Sequence, residues 1–170
     1  MAPQFKSISW AVTFLVIIAL AGCAQTKQYT PNPSTKSYQL SGLPSKVVDV
    51  QVNDLRPETA DGDSLQNVLR SQVKAALSQN FDGQSADKYI LTIDIIEHRS
   101  FFTLGNWNAS TRLRIRLADS RERKIGQWEA SGNSHRSNMW GYATAEAVSQ
   151  DAYDIAVADM MSSLSQVSIR

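Results

Sequence analysis

Hydrophobic and polar positions fall along this chain in blocks of different period, and each block predicts its own kind of element. The first is an apolar run, Trp10 to Leu20, with Thr13 as its one polar residue, preceded by a leader whose one charge is Lys6 and closed by Leu20-Ala21-Gly22-Cys23. It is well short of the ~20 residues that a helix needs to cross a bilayer. A positive start, a short hydrophobic middle and small residues at the end follow instead the order of a secretory signal. From Ala24 to about Pro44 the periodicity disappears. Polar residues dominate, Pro31 and Pro33 break regular structure, and Tyr29, Tyr38, Leu40 and Leu43 are the large apolar side chains. The stretch reads as a flexible tether, which as a coil of about 20 residues spans on the order of 25 Å.

Regular periods begin with Val48, Val50 and Val52, which alternate with Asp49, Gln51 and Asn53 as a strand with one covered face requires. Pro57 and the polar residues through Asp63 end it. Asp63 or Ser64 then caps a helix in which Leu65, Val68, Leu69, Val73, Ala76 and Leu77 keep helical spacing, with Gln66 placed for a capping box. Gln72 reads as a solvent or boundary position of that helix. The helix stops near Asn80, and Phe81 with Gly83 turns the chain back. Leu91, Ile93 and Ile95 alternate with Thr92, Asp94 and Ile96 in a second strand, and Gly105-Asn106 offers a turn. Arg112, Arg114 and Arg116 interleave with Leu113, Ile115 and Leu117 in a third, and a polar turn from Asp119 to Lys124 leads to a fourth over Ile125 to Ser131. An alanine-rich helix from about Thr144 to Gln166 closes the pattern, with Ala145, Ala152, Tyr153, Ala156, Val157, Met160 and Leu164 on one broad side.

The order βαβββα predicts an α+β, two-layer sandwich: a four-stranded mixed sheet with two helices packed on one face, because one sheet face is uniformly apolar. The strands flanking the first helix are parallel if they are neighbours, and the later connections are short enough for antiparallel hairpins. The chain thus divides into a signal segment (1–22), a tether that begins at Cys23 (23–44) and a single α+β domain (45–170), which the resemblance described below implies is periplasmic.

Composition changes the picture at two points. Of 17 Lys plus Arg and 16 Asp plus Glu, only Lys6 lies before Cys23, so the 148 residues from Cys23 onward carry 16 charges of each sign. A balanced charge argues against nucleic-acid binding and against attachment to a membrane through a polybasic patch. The single cysteine has no disulfide partner and no nearby histidine at metal-ligand spacing.

Leu20-Ala21-Gly22-Cys23 resembles the lipobox of bacterial lipoproteins. The resemblance implies cleavage between Gly22 and Cys23, and a diacylglycerol and an N-acyl chain on Cys23 as the only added group, with no other cofactor. Each buried methylene contributes about 0.8 kcal/mol, so several acyl chains hold a protein firmly. Position 24 is alanine and lacks the aspartate that favours inner-membrane retention, which implies the periplasmic face of the outer membrane in a Gram-negative cell. Together with the strand and loop Val50 to Arg56, the strand introduced by Ala86-Asp87, the meander and the late Ala/Asp-rich helix, the layout resembles the small YajG-type outer-membrane lipoproteins. It is similar also to other envelope accessory lipoproteins. That resemblance implies an accessory or binding role and transfers no catalytic residue.

The chemistry-bearing residues are few. His98 and His135 stand in no motif with a serine, a cysteine or paired carboxylates. His98, beside Glu97 and Arg99, reads as a solvated sheet edge or, alternatively, a general base, and His135 lies in a polar run, Ser131 to Asn138, that reads as the end of a strand and a loop or, alternatively, as a ligand-binding loop. No phosphate-cradling glycine loop and no metal cluster is present in the sequence, so an enzyme is not expected and a hydrolase is a distant alternative. Two features could carry binding. Arg112, Arg114 and Arg116 lie in a row roughly 7 Å apart. They read as a cross-strand ladder with Asp94 and Glu129, with Arg114 held most firmly and the ends freer, or as an anion-binding face for a lipid headgroup or glycan. Phe101, Phe102, Leu104 and Trp107 around one turn, with Met139, Trp140 and Tyr142 before the last helix, read as lids over a small core or as a patch for an envelope protein partner, the aromatic side chains being its main candidates. An exposed patch would favour the protein partner, and a lined pocket would favour a ligand.

Overall fold

The computed structural model describes residues 26–34, 36, 38, 40, 47–57, 64–78 and 88–167. The expected signal segment and lipobox, with Gly22 and Cys23, the expected cap at Asp63 and the expected turn at Phe81 to Gly83 lie outside the described residues. The elements are β1 (Thr26–Lys27), β2 (Val47–Asp54), α1 (Ser64–Ser78), β3 (Tyr89–Thr103), β4 (Asn106–Asp119), β5 (Lys124–Ser137) and α2 (Ala145–Ser165). Apart from β1, this is the expected βαβββα order in an α+β fold.

β3 is the spine of the sheet. Its first half pairs in parallel with β2, from Val50↔Leu91 to Asp54↔Ile95, as the α1 crossover dictates. Along its whole length it pairs antiparallel with β4, and β4 pairs with β5. The β3–β4 turn places Leu104 and Gly105 at φ 48° and 77°, the paired left-handed conformation that suits the twist of a tight hairpin.

Both helices cover one face. Leu65, Leu69, Val73 and Leu77 of α1 and Tyr153, Ala156, Val157, Met160 and Leu164 of α2 share a single core with Val50, Val52, Leu91, Ile93, Ile95, Leu113, Ile115 and Leu117. α2 comes closest to the sheet at Gly132 of β5. A Cβ there would collide with the carbonyl of Ala152 and stand 2.6 Å from the amide nitrogen of Ala156, so only glycine admits the helix at this depth. Thr144 caps α2 by accepting from the Ala147 amide at 3.1 Å.

Five details depart from the sequence expectation. First, the described part of the tether is laid onto the domain. Thr26 and Lys27 pair with Phe101 and Ser100, Asn32 and Gln150 exchange two hydrogen bonds, and Leu40 is buried in the core. Polar composition predicts a loose coil, but here side chains of α1 and α2 satisfy the backbone and hydroxyl groups of the segment. Second, β5 extends to Ser137, so His135 is an exposed strand residue rather than part of a loop. Third, Gln66 donates to the Val52 carbonyl and ties α1 to β2, while Asp63, its partner in the expected capping box, lies outside the described residues. Fourth, Gln72 is buried and accepts from the Tyr153 hydroxyl at 2.7 Å, bridging the two helices.

The fifth departure is a β-bulge. Ile95 lies opposite Leu113 and Glu97 lies opposite Arg112, so Ile96 is an extra residue on β3. One extra residue reverses which side chains face the core from that point onward. His98 and Ser100 therefore face inward, contrary to the reading of His98 as a solvated edge; both are buried.

Candidate functional site

The open face of the sheet carries the arginine row. Arg112 donates to Glu97 at 2.8 Å, Arg114 stands 3.5 Å from Glu129, and Arg116 reaches Asp94 at 3.0 and 3.2 Å. The row is a ladder, as one sequence reading had it, but its order of strength is reversed. The ends are held by hydrogen-bonded ion pairs, and the central Arg114 has the longest contact, with its Nε making no hydrogen bond. Arg112 takes Glu97 because the bulge turns that carboxylate outward, a partner that unbroken alternation does not supply. Glu97 also accepts from Ser110 at 2.5 Å and from Arg99 at 2.8 Å. The Ser110 hydroxyl, with the guanidinium groups of Arg99 and Arg112, holds the Glu97 carboxyl below its ordinary range. Asp94 is buried and takes a further hydrogen bond from Asn53 at 2.9 Å.

On the covered face beyond the bulge lies a small polar nest. His98 Nδ1 meets the Thr111 hydroxyl at 2.9 Å, and Nε2 meets the Tyr29 carbonyl at 2.9 Å and the Ser149 hydroxyl at 3.1 Å. Burial drives its pKa down to about 4 against the support of the Tyr29 hydrogen bond, and the nearby Arg56 charge adds to the lowering. The ring is therefore neutral near pH 7. Since a carbonyl can only accept, its proton sits on Nε2 and Nδ1 accepts from Thr111. Both nitrogens are engaged and the side chain is buried, so His98 knits β3 to β4, α2 and the Tyr29 segment. Beside it, burial works to raise the Asp54 carboxyl, but Arg56, in an ion pair at 2.6 Å, outweighs it and the net shift is downward.

Two of the clefts among the described residues lie beside the candidate positions. One, of about 410 Å³, lies along β3 between the points where β2 and β1 pair with it, and is lined by Gln28, Arg56, Pro57 and residues 96–99. The other, of about 450 Å³, is lined by Gln51, Thr92, Arg116, Lys124 and Gln127 among others. Neither includes an aromatic residue of the two turns. Among the described residues, no group of three or more His, Cys, Asp or Glu is placed to hold a metal ion, and no helix is long and apolar enough to cross a membrane.

The aromatic candidates separate into two sets. Phe102 and Trp107 stack edge to face at 5.1 Å, and Trp107 packs on Ala109, Val148 and Ala152, closing a second small core under the start of α2. Phe101 is half-buried, with the Arg99 guanidinium 5.7 Å from its ring centre. These three are lids more than contact residues. Trp140 and Tyr142 are 81% and 90% exposed, and they are joined at the same end of the sheet by Met139 at 80% and Leu104 at 95%. The Asn138 amide donates to the Gly105 carbonyl at 2.8 Å, which brings the two turns together. The sequence reading placed Leu104 at the Gly105-Asn106 turn and Met139 with Trp140 and Tyr142 in a separate cluster; the structure brings the two clusters to one end of the sheet.

No family model matches the sequence, and no curated protein matches it. Several solved structures resemble the fold in part. A Xanthomonas campestris protein of the DUF330 family is 18% identical, over 80% of this chain and 87% of its own, with a TM-score of 0.49. The lipoprotein GNA1162 of Neisseria meningitidis is 11% identical over 71% and 99%, with a TM-score of 0.44. A minor lipoprotein of Acinetobacter baumannii is 16% identical over 72% and 89%, also at 0.44.

Proposed function

We propose that this chain is a lipoprotein of the YajG-type layout, anchored through Cys23 at the periplasmic face of the outer membrane, and that its domain is a non-enzymatic docking protein of an envelope assembly. The observation that carries the reading is the open sheet face. No described element covers it, and its charges form an ordered ladder in which Arg112, Arg114 and Arg116 alternate with Glu97, Glu129 and Asp94. Charges already paired within the chain present a rigid pattern that selects a partner by complementarity. They are poorly suited to capturing a free anion, because the ligand would have to displace carboxylates held at 2.8 to 3.0 Å at the two ends of the row.

The test is photo-crosslinking in intact cells from Thr92, Arg114 and Gln127 on the open face, with Ile155 and Ser162 on α2 as controls. A discrete envelope protein captured from the sheet positions and not from the helix positions is the expected result. Equal labelling from both layers would overturn the docking face. A triple Arg112→Gln, Arg114→Gln, Arg116→Gln variant that loses a salt-sensitive association with anionic lipid or glycan, while its protein crosslinks persist, would move the reading to ligand binding.

A further inference from the structure

The end of the sheet formed by Leu104, Met139, Trp140 and Tyr142 has no role in the fold, and its construction is deliberate in physical terms. Leu104 is a leucine in a left-handed conformation, which glycine or asparagine would adopt more easily, and its side chain is almost wholly in solvent. Neither backbone preference nor burial accounts for a leucine there. The neighbouring loop is held in shape by Asn138. Its amide donates to Gly105, its carbonyl accepts from the Gly141 amide at 3.0 Å, and its side-chain oxygen accepts from the Ala143 amide at 3.0 Å. Met139, Trp140 and Tyr142 are thus displayed by an ordered turn. No Asp, Glu, Lys or Arg occurs in Leu104 to Asn106 or in Asn138 to Thr144.

The position of β1 tells what this end faces. Thr26 pairs with Phe101, and because β1 is antiparallel to β3, the upstream side of Thr26 is the side on which β3 runs on to Leu104. Cys23 precedes Thr26 by three residues. Three residues of extended chain reach at most about 10 Å. The attachment point of the acyl chains is therefore confined to the same end of the domain as the apolar tip.

We propose that this tip is a second membrane contact, seated in the interfacial region of the lipid bilayer into which Cys23 inserts its acyl chains. Tryptophan and tyrosine favour the headgroup level, where the ring is buried and its polar atom stays wet, while Leu104 and Met139 supply purely apolar surface. The contact fixes the domain tip-down on the membrane and leaves the open sheet face standing beside it, free for a partner. This inference rests on the lipid anchor proposed above.

The test uses the mature, membrane-extracted protein, reconstituted into vesicles of phosphatidylethanolamine and phosphatidylglycerol with brominated acyl chains. Mass spectrometry of the N-terminal peptide first reports the acyl mass on Cys23. Trp140 emission, taken as the difference between the parent protein and Trp140→Phe, should shift to the blue and be quenched by the bromines. A Leu104→Asp, Met139→Asp variant should lose that quenching while it stays anchored. Absence of acyl mass on Cys23 would overturn both anchor and tip contact. Unquenched Trp140 in protein that does carry the acyl mass would overturn the tip contact alone. So would a crosslink from Trp140 to an envelope protein, or to a second copy of this chain, that replaces the lipid quenching.

Discussion

β3 and β4 run side by side for their whole length, yet the half before Ile96 and the half after it are different kinds of interior. Before the bulge, Leu91, Ile93 and Ile95 lie among Leu113, Ile115 and Leu117 in an aliphatic core covered by both helices. After it, polar groups are buried, with His98, Ser100 and Thr111 on the two strands and Ser149 on α2, beside a small apolar cluster of Ala109, Val148 and Ala152. The first half is stabilised by apolar area removed from water, and one side chain of the right size substitutes for another at modest cost. The second half depends on every polar group finding its one partner, including a carbonyl that comes from Tyr29, far away in sequence. The same two strands thus hold a tolerant region and an exacting one.

The largest effect that sharpens this contrast is expected in the aliphatic half. Leu69→Ala or Ile115→Ala, each at a site almost wholly buried, should destabilise by about 2 to 5 kcal/mol in denaturant titration. Comparable losses for Ser100→Ala would break the comparison, because Ser100 contributes little apolar area.

Next in size is a pH effect confined to the polar half. The His98 pKa falls from 6.5 to about 4 on folding, so between those values the unfolded chain binds more protons than the folded one. Stability is then full above about pH 6.5 and declines as pH falls toward 4, by roughly 3 kcal/mol in total from this group. Chemical denaturation at pH 7 and pH 4.5 measures it, and His98→Gln should remove most of that slope. A slope unchanged in the variant would mean that carboxylates alone set the acid limb.

Smaller again is Gln72→Ala. It leaves the buried Tyr153 hydroxyl without its acceptor, and should cost about 1 to 3 kcal/mol rather than the near-neutral change of a surface glutamine. Tyr153→Phe in the same background should recover part of the loss. The smallest is Arg114→Gln, at most about 1 kcal/mol, since its pair with Glu129 is long and solvent-exposed. Arg116→Gln should exceed it, because it strips the buried Asp94 of its cation.

The aliphatic half was legible in the sequence. Alternation at Leu91 to Ile95 and Leu113 to Leu117, and helical spacing at Leu65 to Leu77, report burial directly, because apolar side chains go where water is excluded whatever their neighbours do. The polar half was not, because the reading carried a period of two through Ile95-Ile96 and so left His98 outside. Two consecutive isoleucines were the only local sign of the extra residue, and Tyr29, which completes the nest, lies in a stretch whose composition signals no structure. The arginine ladder was recognised in kind, while its partner Glu97 and its order of strength depend on the same bulge. The exposed tip was seen as two separate clusters, Leu104 at one turn and Met139, Trp140 and Tyr142 before the last helix, whereas the hydrogen bond from Asn138 that joins them has no sequence signature.

The pairing of Thr26 and Lys27 along β3 also sets how force enters the domain. A pull from the upstream side of Thr26 acts along the strand axis, so the β1 pairing and the Tyr29 carbonyl bond to His98 resist in shear, together, and do not open one at a time like a zipper. The two hydrogen bonds between Asn32 and Gln150 and the burial of Leu40 take up load behind them. A freely jointed segment would move independently of the domain. A segment paired with β3 from residue 26 instead moves with the sheet, so its direction of exit is set by the fold itself.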